Sequence, residues 1–192
     1  MQAARGASLN PSDEDSTPET IPDPAVPSRS RLIVLFAAVA AFLYTLDVVG
    51  KVWAVRHLTP GETVDLVGRY FGLHLTRNPG AAFSTGTAYT EVLSVLSITA
   101  ICAVLWVSRR LGSRLWAVGL GALLAGVAGN LTDRLFREPG FLHGHVVDYL
   151  RFPHWPIFNI ADICINVAAA IIIIQALRGI GVDGRRVARN EE

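Results

Sequence analysis

Apolar positions along this chain gather into four long runs separated by polar connections. They cover Arg31 to about Val49, about Thr90 to Val107, about Arg114 to Leu131, and about Phe158 to Leu177. Each is close to the ~20 residues that a helix needs to cross the hydrocarbon core of a bilayer. None carries an interior proline, so each can continue as one helix. The pattern predicts a mainly α, integral membrane fold with four transmembrane helices. Between the first two runs, Val52 to Tyr89 is too long for a simple connection. Within it, Thr63 to Thr76 (TVDLVGRYFGLHLT) is rich in β-branched and aromatic residues, which predicts short strands. A small sheet at about residues 52–89 is therefore expected on the outer membrane surface.

The third run has a different texture. Its small residues pair at i, i+4 (Ala122/Gly126 and Ala125/Gly129), the spacing that lets helices approach closely. Residues 1–28 are polar, with Asp13, Glu14, Asp15 and several prolines. Such a composition buries too little to fold and predicts a disordered tail. It lacks the basic start and small-residue cleavage site of a signal peptide, so the first run is expected to stay as an uncleaved anchor. Residues 29–178 then form one membrane domain, and 179–192 a short C-terminal tail.

Composition sharpens the class. Apolar residues make up 51% of the chain and charged ones only 17%, well below the quarter usual for soluble domains. A net charge of +1 leaves no basic excess for phosphate, so no nucleic-acid partner is expected. Cys102 and Cys164 lie in apolar runs without metal-ligand spacing and read as buried, inert thiols. Arg29 and Arg31 precede the first run, Arg109, Arg110 and Arg114 link the second and third, and Arg178, Arg185, Arg186 and Arg189 follow the fourth. With four spans these share one side, so both termini are expected in the cytoplasm. Trp53 and Trp155 are expected at the outer interface, and Trp106 and Trp116 at the inner one.

Four polar clusters stand at the outer ends of the runs. Asp47 and Lys51 are four apart on one helical face. Asn130, Asp133 and Arg134 share a second face. Asp148 lies in the loop before the fourth run, and Asn159, Asp162 and Asn166 share a face at its start. Ionisable groups in membrane helices are costly and usually mark a function. Each also has a plain reading. Asp47/Lys51 is equally an ion pair fixing the first helix, Asp133/Arg134 a charge pair at a helix end, and Asp162 a helix cap. Two carboxylates at one wet site offer more: one shares or holds a proton, the other activates water, which is aspartic-protease chemistry. Spacing does not select the pair, since Asp47 and Asp133 are as available as Asp148 and Asp162.

Five segments resemble the bacterial lipoprotein signal peptidases (signal peptidase II): LDVVGK (46–51), RNPGAAFS (77–84), AGNLTDRL (128–135), HVVDYL (145–150) and FNIADICI (158–165). They occur in the family's order along Arg31 to Leu177. The resemblance implies an aspartic endopeptidase of the bacterial cell membrane that cuts prolipoproteins before a diacylglyceryl-modified cysteine. It implies Asp148 and Asp162 as the catalytic pair, near the extracytoplasmic surface. It further implies Asn130 and Arg134 as pocket residues, Asp133 as a supporting aspartate, and Asn78 as a substrate contact. Asn159 falls beside the pair, and Asp47 with Lys51 positions it. Its implied partners are lipidated precursors and membrane lipids, with the chain acting as a monomer and with no cofactor or metal. One departure lies in the first-helix motif, where many members carry a polar residue and then serine and this chain reads Asp47-Val48-Val49-Gly50-Lys51.

Three other readings remain open from the residues alone. The acids could form a proton relay in a small transporter, although the helix centres are nearly uncharged. His143, His145 and Asp148 could hold a metal. A non-catalytic scaffold is the third.

Overall fold

The structure, a computed structural model, describes residues 28–80 and 88–186. Residues 1–27 of the expected disordered tail, the Ala81–Ser84 part of RNPGAAFS and residues 187–192 lie outside the described residues. Four helices are long and apolar enough to cross a membrane. They are α1 (Arg29–His57), α2 (Ala88–Ser108), α3 (Arg114–Phe136) and α4 (Ile160–Leu177). Three strands complete the fold: β1 (Thr63–Val67), β2 (Phe71–Asn78) and β3 (Val146–Arg151).

Helix α3 sits at the centre, packed on α1, α2 and α4. Its small residues explain why. A Cβ on Gly121 would meet the Phe36 carbonyl at 2.8 Å, and one on Gly126 the Ala161 carbonyl at 2.5 Å. Backbone therefore lies directly on side-chain-free helix, the close approach predicted from the spacing. At one end of the bundle, Arg29 donates to the Arg109 carbonyl. There, too, Gly112 N–H donates to Val182 O at 2.9 Å, and Trp116 Nε1 donates to Ile180 O at 2.9 Å. The start of α1, the α2–α3 link and the segment after α4 thus share one end. Trp116, at this same end, is buried with Leu32, Phe36 and Leu120, while Trp53, Trp106 and Trp155 are exposed.

The sheet caps the other end in the order β1-β2-β3, antiparallel throughout. β1 is exposed along its length and forms the edge, whereas Leu73 and Leu75 of β2 pack with Val147 and Tyr149 of β3 on Ala54 of α1. Two expectations are corrected here. Val52–His57 is helix, not loop, because Asp47 and Lys51 neutralise each other inside the bundle and do not end α1. Asp148 lies in a strand, not a loop. Val146, Val147, Asp148 and Tyr149 are all buried, so β3 lacks the alternation that marks a half-exposed strand.

Candidate active site

Sheet register brings the first groups together. Asn78 pairs with Val146 and Thr76 with Asp148 across the β2–β3 ladder. Asn78 is then the diagonal neighbour of Asp148 on the same face, and its Nδ2 donates to Asp148 Oδ2 at 2.9 Å. Between Leu73 and Thr76 the ladder shifts by one residue, a bulge that aims this end of β2 at the site. After β3 the chain folds back: Phe158 N–H donates to Leu150 O at 3.1 Å, and Tyr149 and Leu150 N–H both donate to Phe158 O. The next residue, Asn159, is thereby set against Asp148.

Asn159 joins the two acids. It is fully buried, with extended backbone, and is the N-cap of α4 instead of a member of its face. Its Oδ1 accepts from Asp162 N–H at 3.0 Å, and Asp162 Oδ2 accepts from Asn159 N–H at 3.1 Å, a complete capping box. The cap role weighed for Asp162 is therefore real, but it uses one carboxylate oxygen only. Asp162 Oδ1 accepts from Asn130 Nδ2 at 2.9 Å. Asn159 Nδ2 donates to Asp148 Oδ1 at 2.6 Å and lies 3.1 Å from Asn130 Oδ1. Asp148 and Asp162 line one cavity of about 380 Å³, with Asn78, Trp155, Phe158, Ile163, Asn166 and Val167 among its walls. Asp148 is 2% exposed. Burial pushes its carboxyl up to about 6, and the Asp162 charge adds to this, while the bonds from Asn78 and Asn159 and the Lys51 charge oppose it.

Beneath the cavity lies a charged hub. Lys51 is fully buried; its ammonium donates to Asn130 Oδ1 at 3.0 Å and forms ion pairs with Asp47 Oδ2 at 2.8 Å and Asp133 Oδ2 at 2.9 Å. Asp47 Oδ1 accepts from Ala161 N–H at 2.9 Å, so α1 satisfies an open donor at the start of α4. Asp133 Oδ2 accepts from Val147 N–H at 3.2 Å, tying α3 to the strand that carries Asp148. The anticipated Asp133/Arg134 pair is not formed. Adjacent residues on a helix point apart, and Asp133 pairs with Arg137 and Lys51. Arg134 is half-buried, and the carboxylates whose charge reaches it are Asp162, Asp133 and Asp148.

The Gly50 departure also has a physical reason. A Cβ there would run into the Tyr149 hydroxyl, so the glycine leaves room for a phenol that burial holds neutral, raised to about 12. His143 is committed elsewhere, its Nε2 2.6 Å from Glu91 Oε1. Among the described residues no three His, Cys, Asp or Glu side chains converge as a metal would need. Sequence reasoning missed β3, the cavity walls Trp155 and Phe158, and the cap position of Asn159. The β-branched pair in HVVDYL and the asparagine three residues before Asp162 were the available signals.

Four membrane-capable helices under a surface sheet, with two acids at one cavity, define a multi-pass membrane protein. Solved bacterial membrane enzymes share this fold. One, determined by the in meso method, aligns with a TM-score of 0.67 at 24% identity, over 78% of this chain and 94% of that one. Residues 39–178 match the family described as Signal peptidase (SPase) II, and the chain belongs to that family, which makes it a peptidase. Similar proteins named lipoprotein signal peptidase occur in Mycobacterium avium, 44% identical over 90% of this chain and 94% of that protein. Another occurs in Leifsonia xyli, 43% identical over 84% of this chain and 77% of that protein.

Proposed function

We propose that this protein is an aspartic endopeptidase that removes signal peptides from lipid-modified precursors, cutting just before a diacylglyceryl-modified cysteine. The observation that carries the reading is the pair Asp148 and Asp162 on one cavity, bridged by a buried asparagine that bonds both. In the cleaving state Asp148, whose carboxyl burial pushes up to about 6, carries the proton and Asp162 is the base. Asp162 takes a proton from water, the oxygen adds to the scissile carbonyl, and Asp148 donates to the carbonyl oxygen. As the C–N bond breaks, the leaving amine takes the proton from Asp162 and a hydroxyl of the tetrahedral diol returns its proton to Asp148. The substrate is itself a membrane helix, so a site where the sheet meets the spans lets its acyl chains remain among apolar walls such as Ile163 and Val167. The basic flanks put both termini in the cytoplasm and the cavity near the extracytoplasmic surface. Membrane lipids surround a single working chain. Asp148→Asn and Asp162→Asn are each expected to abolish cleavage of a lipidated precursor with normal expression and membrane insertion, and EDTA is expected to leave cleavage unchanged. Cleavage by a folded Asp162→Asn protein would overturn the reading, as would loss with EDTA that zinc restores.

A further inference from the structure

Asn166 is a polar side chain of the cavity that the chemistry above leaves unused. It stands on the exposed side of α4, one turn from Asp162 toward the membrane interior, between apolar Ile163 and Val167. An amide in such a setting is expensive unless it is hydrogen-bonded. Its Nδ2 donates to the Asp162 carbonyl oxygen at 2.8 Å, which fixes which end of the amide points outward. Its Oδ1 has no partner among the described residues, and it sits on the wall of the cavity that holds the two acids.

The chemistry of a free carbonyl oxygen selects its partner. It accepts and cannot donate. A diacylglyceryl cysteine offers a thioether and two esters, all acceptors, so the lipid group cannot satisfy it. The donors that a precursor brings to this depth are its backbone N–H groups. One helical turn advances about 5.4 Å, close to two residues of extended chain at ~3.3 Å each. The turn lies on the membrane side of the acids, hence on the signal-peptide side of the cut. Resting on the function proposed above, we propose that Asn166 is a substrate-specificity contact. Its Oδ1 accepts a backbone N–H of the signal peptide about two residues upstream of the scissile bond. This holds the chain extended beside the acids and rewards a backbone that has left the helical ladder.

The test uses the full chain in micelles and synthetic diacylglyceryl lipopeptides whose upstream peptide nitrogens are methylated one at a time. Asn166→Leu, of similar shape, is expected to raise KM roughly three- to tenfold, the size of one neutral hydrogen bond, with kcat unchanged. Methylating one upstream nitrogen should cost the wild type the same factor and cost Asn166→Leu nothing further. An unchanged KM overturns the proposal. So does a loss confined to kcat, or a methylation penalty equal in both proteins at every position. Failure of the wild type to cut the unmethylated lipopeptide would overturn the peptidase assignment itself, a result distinct from these.

Discussion

Replacing Asp148 with asparagine should stabilise the protein at neutral pH while destroying its activity, and the gain should itself depend on pH. The folded carboxyl titrates at about 6 against an ordinary 3.8, chiefly because burial disfavours its charge. Between those values the unfolded chain has released the proton and the folded chain has kept it. Stability therefore falls as pH rises through this window and stays lowered above it. A gap of about two pH units, at ~1.36 kcal/mol each, makes the cost of the ionised side chain about 3 kcal/mol at pH 7. Asp148→Asn cannot ionise and escapes that cost. The substitution also sets a new amide against Asn78 Nδ2, an offset of about 1 kcal/mol that does not vary with pH. The difference in stability between mutant and wild type should therefore grow by about 3 kcal/mol from pH 3 to pH 7. Thermal unfolding in micelles at a series of pH values measures it; in a domain of this size, 3 kcal/mol corresponds to roughly 6–12 °C in Tm. A difference that stays flat across the window would refute the reasoning. So would one that shrinks as pH rises, since the fold would then favour the Asp148 anion.

Asp133→Asn should lower folded yield more than activity per folded molecule, because Asp133 holds Lys51, Arg137 and Val147 N–H and does not line the cavity. A loss of specific activity equal to that of Asp162→Asn, measured on purified folded protein, would break this division. Gly50→Ala should destabilise by about 1–3 kcal/mol through collision with the Tyr149 hydroxyl. Adding Tyr149→Phe should restore most of it, and unfolding of the single and double variants decides this. Asn78→Ala removes a hydrogen bond that favours the Asp148 anion, so the carboxyl should hold its proton to higher pH. The alkaline limb of kcat/KM, which reports loss of the acid form, should move upward; an unmoved or downward-shifted limb counts against the acid role.

The spans were legible because a bilayer tolerates few alternatives: continuous apolar runs without proline have to be helices. The strands β1 and β2 were legible from their β-branched and aromatic content. What escaped the sequence were features decided by partners distant in the chain. The end of α1 was misread because Asp47 and Lys51 look like the onset of water, yet they are buried against each other and Asp133. Strand β3 was hidden because it is covered on both faces. Asn159 looked like part of a helical face, but its place is set by the Leu150–Phe158 bridge. The meeting of Asp148 with Asp162 was likewise beyond spacing. It requires the antiparallel β2–β3 register, the fold-back after β3 and the cap on α4, each of which is a tertiary choice.

Charge counting around the site gives the single shared proton a structural basis. Four carboxylates belong to the connected network: Asp47, Asp133, Asp148 and Asp162. Three cations face them: Lys51 and Arg137 by ion pair, and Arg134 through its field. With every acid ionised the cluster carries one uncompensated negative charge at the edge of a low-dielectric bilayer, where charge is most costly. One proton removes it. Asp47 and Asp133 both pair with one ammonium ion, at 2.8 and 2.9 Å. Asp148 has no such contact; its oxygens meet only the neutral amides Asn78 and Asn159 among the described residues. It is also the carboxyl that burial pushes up to about 6. Asp162, by contrast, stands in the first turn of α4, at the positive end of the helix dipole. On the function proposed above, the charge balance of the support beneath Asp148 and Asp162 is what divides them into acid and base.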